Sequence, residues 1–241
     1  MTTSYSPFAV IVLAGTTLIG ALSVFAFHPG YFAIDKRTLP WYVHAHTALM
    51  ILWMGLQVMQ AYAILKKNYR QHRAIGKGSY VVMPVLIVLA AVMMQYGFDR
   101  AISSYDSTSI TKAQINETLA SMALPFYYFA GLVLFYPLAI VYMKKPFMHG
   151  QYMIAAMLML TGPVFDRILY IYCPNTGILW EGVAFATMDL VFLWILGYSL
   201  RHNLSYAPAL IALSFFGIGQ AGYFFGRESE AWLSFADFLF R

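Results

Sequence analysis

The side chains able to do chemistry in this chain are few, and their spacing says more than their number. A run from 41 to 65 carries His46, Met50, Trp53, Gln57 and Gln60 at steps of four, three, four and three, which lines all five along one stripe of an α-helix. A second run carries His149, Met153, Ala156, Leu160, Pro163 and Arg167 in similar register, with Asp166 beside the last of them. Asp189 is the one acid that falls deep inside an apolar segment, and Arg167 or His46 is its expected partner. Together His46, Trp53, Gln57, Asp166, Arg167 and Asp189 form a candidate polar site. The plainer alternatives are that the glutamines join helices, His46 is a satisfied core histidine and Asp166–Arg167 reaches water at an interface.

The histidines divide into two groups. His28, His44 and His46 fall at one side of the apolar runs, and His72, His149 and His202 at the other. Imidazole is a usual axial ligand of haem and a common ligand of transition metals. His72 and His149 both sit where a basic stretch ends and a helix begins, so they are expected at similar depth, able to share a haem or a metal. For His72 to reach the bundle, its helix must start well before the apolar part at 80. His44 and His46, two residues apart, point to opposite sides of any helix they share.

Seven apolar runs must position these groups: about 8–27, 41–65, 80–96, 119–143, 148–170, 178–200 and 207–225. Each suits a helix crossing roughly 30 Å of hydrocarbon. Of 241 residues, 61% are hydrophobic and 10% charged, too few polar groups to cover a water-soluble core. The connections after the second, fourth and sixth runs hold Lys66, Lys67, Arg70, Arg73, Lys77, Lys144, Lys145 and Arg201 and no acid. The positive-inside rule places these loops, and the N-terminus, in the cytoplasm. The connection 99–118 has room for a short surface helix, and 228–240 for an amphipathic helix in the outer interface. The expectation is an all-α, single-domain bundle of seven transmembrane helices in a cell membrane, a bacterial inner membrane, surrounded by lipid. A membrane partner or a second copy is open.

Other chemistries lack their residues. The net charge of +5 is what inner loops supply, and it does not suggest nucleic acid. There is no Walker loop, GxSxG or HExxH. Retinal attachment needs a lysine in the last helix, but the last lysine, Lys145, precedes the fifth. Cys173 is alone and forms no internal disulfide.

From Tyr42 onward the chain resembles a broad group of bacterial membrane proteins. The matching pieces are His44-Ala45-His46 with Trp53 and Gln57, His72-Arg73 with Gly76, His149 with Met153, Asp166-Arg167, Met188-Asp189-Leu190, and Glu230-Ala231-Trp232-Leu233. That likeness implies the fold and no particular activity. His46 with Met50, then Lys66-Lys67 and His72, is similar to the cytochrome b-561 family of haem-bearing four-helix cores. There the next helix carries a ligand, whereas 119–143 has no histidine. The resemblance implies haem b, with an inner pair His72 and His149 and an outer His46 whose partner is His28. Three classes of function remain: a haem- or metal-binding redox protein, a small-molecule transporter or sensor using the outer polar site, and an accessory or assembly subunit of a larger membrane complex.

Overall fold

The computed structural model describes residues 6–106, 110–173 and 179–241. Among these residues the regular structure is helical throughout, and seven segments are long and apolar enough to cross a membrane. The helices are α1 (Ser6–Phe27), α2 (Trp41–Leu65), α3 (Tyr69–Ser103), α4 (Lys112–Ser121), α5 (Ala123–Val141), α6 (Pro146–Leu158), α7 (Thr161–Tyr172), α8 (Leu179–Arg201), α9 (Ala207–Ala221) and α10 (Glu230–Phe240). The spans are α1 with the π turn His28–Phe32, α2, α3, α4 with α5, α6 with α7, α8, and α9 with the π turn Gly222–Gly226.

The largest departure from the sequence expectation is α3. It begins at Tyr69, not near 80, because Asn68 caps it by accepting from the Gln71 N–H at 3.1 Å. Lys67, with φ of 56°, turns the chain sharply out of α2 just before. At about 52 Å long, α3 overshoots the hydrocarbon at both ends, and its polar first turns carry His72 into the bundle end. α4 starts at Lys112 through a capping box between Thr111 and Gln114. Residues 107–109 of the expected connection, and Ile178 at the expected start of the sixth helix, lie outside the described residues.

The expected fifth helix is two helices. Pro163 has no N–H to offer the carbonyl four residues back, at Met159, and its ring crowds that carbonyl. The chain answers with a tighter turn, Leu160 N–H to Met157 O at 3.0 Å, before α7 begins. Residues 151–160 are all buried, so this break lies in the centre of the bundle. The break ends the continuous stripe expected from His149 to Arg167.

Lipid-facing and core-facing surfaces separate cleanly. Ile51, Val81, Val88, Leu190 and Ile218 project outward, while Trp53, Met83, Phe135, Ile154, Phe192 and Phe216 are fully enclosed. Small residues let helices close on one another. A Cβ at Gly131 would collide with Met159, one at Gly162 with Tyr128 and one at Gly219 with Tyr127. The amphipathic α10 docks on α3 and α4 through Phe98, Leu119, Met122, Ala236 and Phe240.

Candidate functional site

At the end of the bundle bearing the basic loops, His72 and His149 face each other. Each lies in the first turn of its helix, α3 or α6, and the ring centroids are 6.3 Å apart at an interplanar angle of 79°. Both Nδ1 atoms are held by backbone carbonyls: His149 to Ala139 O at 2.8 Å and His72 to Gln60 O at 3.4 Å. Ala139 is in the last turn of α5, where carbonyls have no partner within the helix, so its oxygen is available. A carbonyl only accepts, so Nδ1 is the protonated nitrogen of each neutral ring. That leaves the two Nε2 lone pairs unspent.

Beside the two rings is a cavity of about 700 Å³. Its walls include Phe8, Val12, Ile140 and Met153, with Arg73, Lys77 and Lys144 also lining it. Gln57 and Gln60 reach it from α2; Gln57 is buried and its Nε2 has no acceptor. The cavity thus offers two imidazole nitrogens, an amide donor and three cations, with Gln60, Tyr69, Ser79 and Tyr80 among its remaining, mostly apolar walls. Among the described residues no three His, Cys, Asp or Glu side chains gather closely enough to hold a bare metal ion.

Of the outer polar site expected from the sequence, the structure puts His46 within electrostatic reach of Arg167 and gives Asp189 a different partner. Trp53 is fully enclosed, 5.6 Å from the Tyr136 ring, and its Nε1 has no partner. His46 is half-buried within electrostatic reach of Arg167, with an unpartnered Nδ1. Arg167 donates to Pro163 O at 2.8 Å and lies 4.7 Å from the Phe27 ring centroid. Asp189 accepts from Gln220 at 3.1 Å, so its partner is an amide on α9 and neither Arg167 nor His46. His46, Trp53 and Gln57 lie on α2, Asp166 and Arg167 on α7, and Asp189 on α8. The outer pair of His46 with His28 is also not formed as a ring contact. His28 is exposed in the π turn, and His44 takes the local role, bonding Tyr31 Oη at 3.0 Å.

A group of which the sequence reading named only Asp166 occupies that outer end. Tyr128 of α5, Asp166 of α7, Glu181 of α8 and Tyr223 beyond α9 converge there, with Tyr223 donating to Glu181 at 3.1 Å. Tyr128 and Tyr223 fall inside apolar runs and read as hydrophobic, and Glu181 falls at the start of the run 178–200. The only advance signal was Gly162, the small residue that admits the Tyr128 ring.

Fold and surface define a multi-pass membrane bundle of seven spans. Comparisons with protein-family models, with curated proteins and with solved structures give no match.

Proposed function

We propose that this protein is a membrane redox carrier that binds haem b at its basic end, with His72 and His149 as the axial ligands. The observation that carries this reading is the opposed pair of imidazoles, each with Nδ1 on a carbonyl and Nε2 free. That is how protein ligands to iron or zinc are usually oriented, the outer hydrogen bond fixing the tautomer. The spacing supports it: two metal–nitrogen bonds of about 2 Å, each extended by an imidazole radius of about 1.1 Å, span roughly 6 Å. Arg73, Lys77 and Lys144 offer counter-charges to the two carboxylates of the macrocycle, and the apolar walls suit its ring. Bound there, haem supplies one-electron chemistry. The chain's own part is to hold both rings in register and to keep the pocket dry on its lipid-facing walls. By the positive-inside rule this end faces the cytoplasm.

The unpartnered Gln57 amide supports a second reading, in which an amphiphile bearing a carbonyl oxygen lies in the cavity and accepts from Gln57 and an imidazole. One measurement separates the two. The absorbance spectrum of detergent-purified protein shows a Soret band if haem is bound, and His72→Ala and His149→Ala each remove it. Protein without that band, expressed with haem in ample supply, refutes the haem reading.

A further inference from the structure

We propose that the end of the bundle opposite the histidine cavity binds a divalent cation of calcium's preferences, held by oxygens of Asp166, Glu181 and Tyr128. Three buried, unpartnered oxygens lie at that end. Asp166 Oδ1 and Glu181 Oε2 are buried acceptors with no donor, and the Tyr128 hydroxyl is buried with no partner of either kind. Tyr128 is only 4% exposed, and its hydroxyl lies within electrostatic reach of Asp166, Glu181 and Tyr223. Asp166 and Glu181 are likewise within reach of one another.

The two arginines nearby make their hydrogen bonds elsewhere, although the Arg167 charge lies within electrostatic reach of Asp166. Arg167 spends its guanidinium on Pro163 O and the Phe27 ring. Arg227 donates to Tyr223 Oη at 3.1 Å and faces Glu228 at 3.6 Å. Among the described residues no lysine or arginine forms an ion pair with Asp166 or Glu181. A shared proton would serve the two carboxylates and leave the tyrosine oxygen idle. A small cation serves all three.

The donor set selects the ion. Carboxylate and hydroxyl oxygens are hard ligands, unsuited to copper or other thiophilic metals. Magnesium requires near-octahedral order and sheds water reluctantly, whereas calcium accepts an irregular set completed by solvent. Two carboxylates with neutral oxygens make a weak site, of the kind that fills at the millimolar calcium found outside cells. The fold also yields space for it. Gly162 carries no Cβ, which brings the tip of Tyr128 against α7, the helix of Asp166. This site is independent of the haem reading, since it shares no residue with the histidine cavity.

The test uses detergent-purified full-length protein, stripped with EDTA and desalted. Calcium chloride should raise the unfolding temperature by several degrees and saturate in the range from about 0.1 to a few millimolar. Magnesium should act less, and sodium chloride at matched ionic strength not at all. Equilibrium dialysis with radioactive calcium should find one ion per chain, and Asp166→Asn and Glu181→Gln should each abolish it. The exposed Asp35→Asn variant should retain it. Absence of bound calcium overturns the proposal, as does binding that survives both substitutions. A rise equal with sodium overturns the divalent assignment. Stabilisation by acidification alone, from pH 8 to 5 without any response to cations, overturns it in favour of a proton held between the two acids.

Discussion

Gly162→Ala is the substitution for which the structure gives the sharpest expectation. A Cβ at that position would overlap the Tyr128 ring at Cζ, Oη and Cε1. The ring has little room to yield, because Tyr128 is buried and its neighbour Tyr127 stands 5.1 Å away, centroid to centroid. Alanine in a helix gains about 1 kcal/mol over glycine from backbone entropy. Against it stands overpacking of roughly 1–3 kcal/mol if the helices part, or about 3 kcal/mol of lost packing if the ring swings out. Lipid tails are as apolar as the core, so the penalty lies in packing and in the hydroxyl, with little transfer term. The net is a loss of about 2 kcal/mol, a drop of roughly 4–8 °C in unfolding temperature for a chain of this length.

Tryptophan fluorescence during thermal or dodecyl-sulfate unfolding in micelles measures it. Gly55→Ala is the control, since nothing lies within 4 Å of its added Cβ. In a Tyr128→Ala background the Gly162→Ala penalty should vanish and leave the helix gain of about 1 kcal/mol, giving a coupling energy of about 3 kcal/mol. Equal effects at Gly55 and Gly162, or the same Gly162 penalty with and without the Tyr128 ring, would refute the reasoning.

Cysteines at 68 and 146, in a Cys173→Ser background, should react with an impermeant reagent from one side of the membrane and a cysteine at 104 from the other. Labelling of 68 and 104 from the same side sinks the orientation drawn from the charges. Trp232→Phe removes the 2.9 Å bond from the indole to Leu119 O, costing about 1 kcal/mol. Hydrogen exchange across 230–240 should then quicken several-fold while α5 and α6 stay protected. Asp35 is fully exposed, and the Arg37 guanidinium and backbone N–H hold its carboxyl below the usual carboxylate value. That small contribution exists above about pH 4 and is lost as pH falls through the depressed value. Unfolding midpoints of wild type and Asp35→Asn should therefore converge toward low pH; divergence there would contradict the sign.

The spans were legible because a membrane demands them. An apolar run of 25 residues such as Trp41–Leu65 has no other stable state in lipid than a helix, and α2 begins and ends where the hydropathy does. Helix ends outside the hydrocarbon are set by local hydrogen bonds instead. Hence α3 extends to Tyr69 on the strength of Asn68, although Arg70, Arg73 and Lys77 break the apolar pattern. The α6–α7 break was half visible in Pro163. What hydropathy cannot tell is whether a membrane proline is absorbed within one helix, as Pro84 is inside α3, or accompanies a helix break, as Pro163 does between α6 and α7.

The two ends of the bundle show why the approach of His72 to His149 was readable and the grouping around Tyr128 was not. His72 and His149 are each fixed by their place in a helix's first turn. A first turn at the basic end has a known depth, so the two residues were expected at the same level of the bundle. The outer group depends on rotation about helix axes. Asp166 and Arg167 are adjacent in sequence, so they point about 100° apart on α7. One is turned to Tyr128 and Glu181, the other to Phe27 and the neighbourhood of His46. Which of the two enters the bundle interior is decided by the turn at Met159 and Leu160, a detail of backbone geometry with no periodic signature. Depth follows from charge and hydropathy; azimuth follows from packing. Residues whose chemistry requires only the first are found from sequence, and those that require the second emerge when glycines such as Gly162 let one helix approach another.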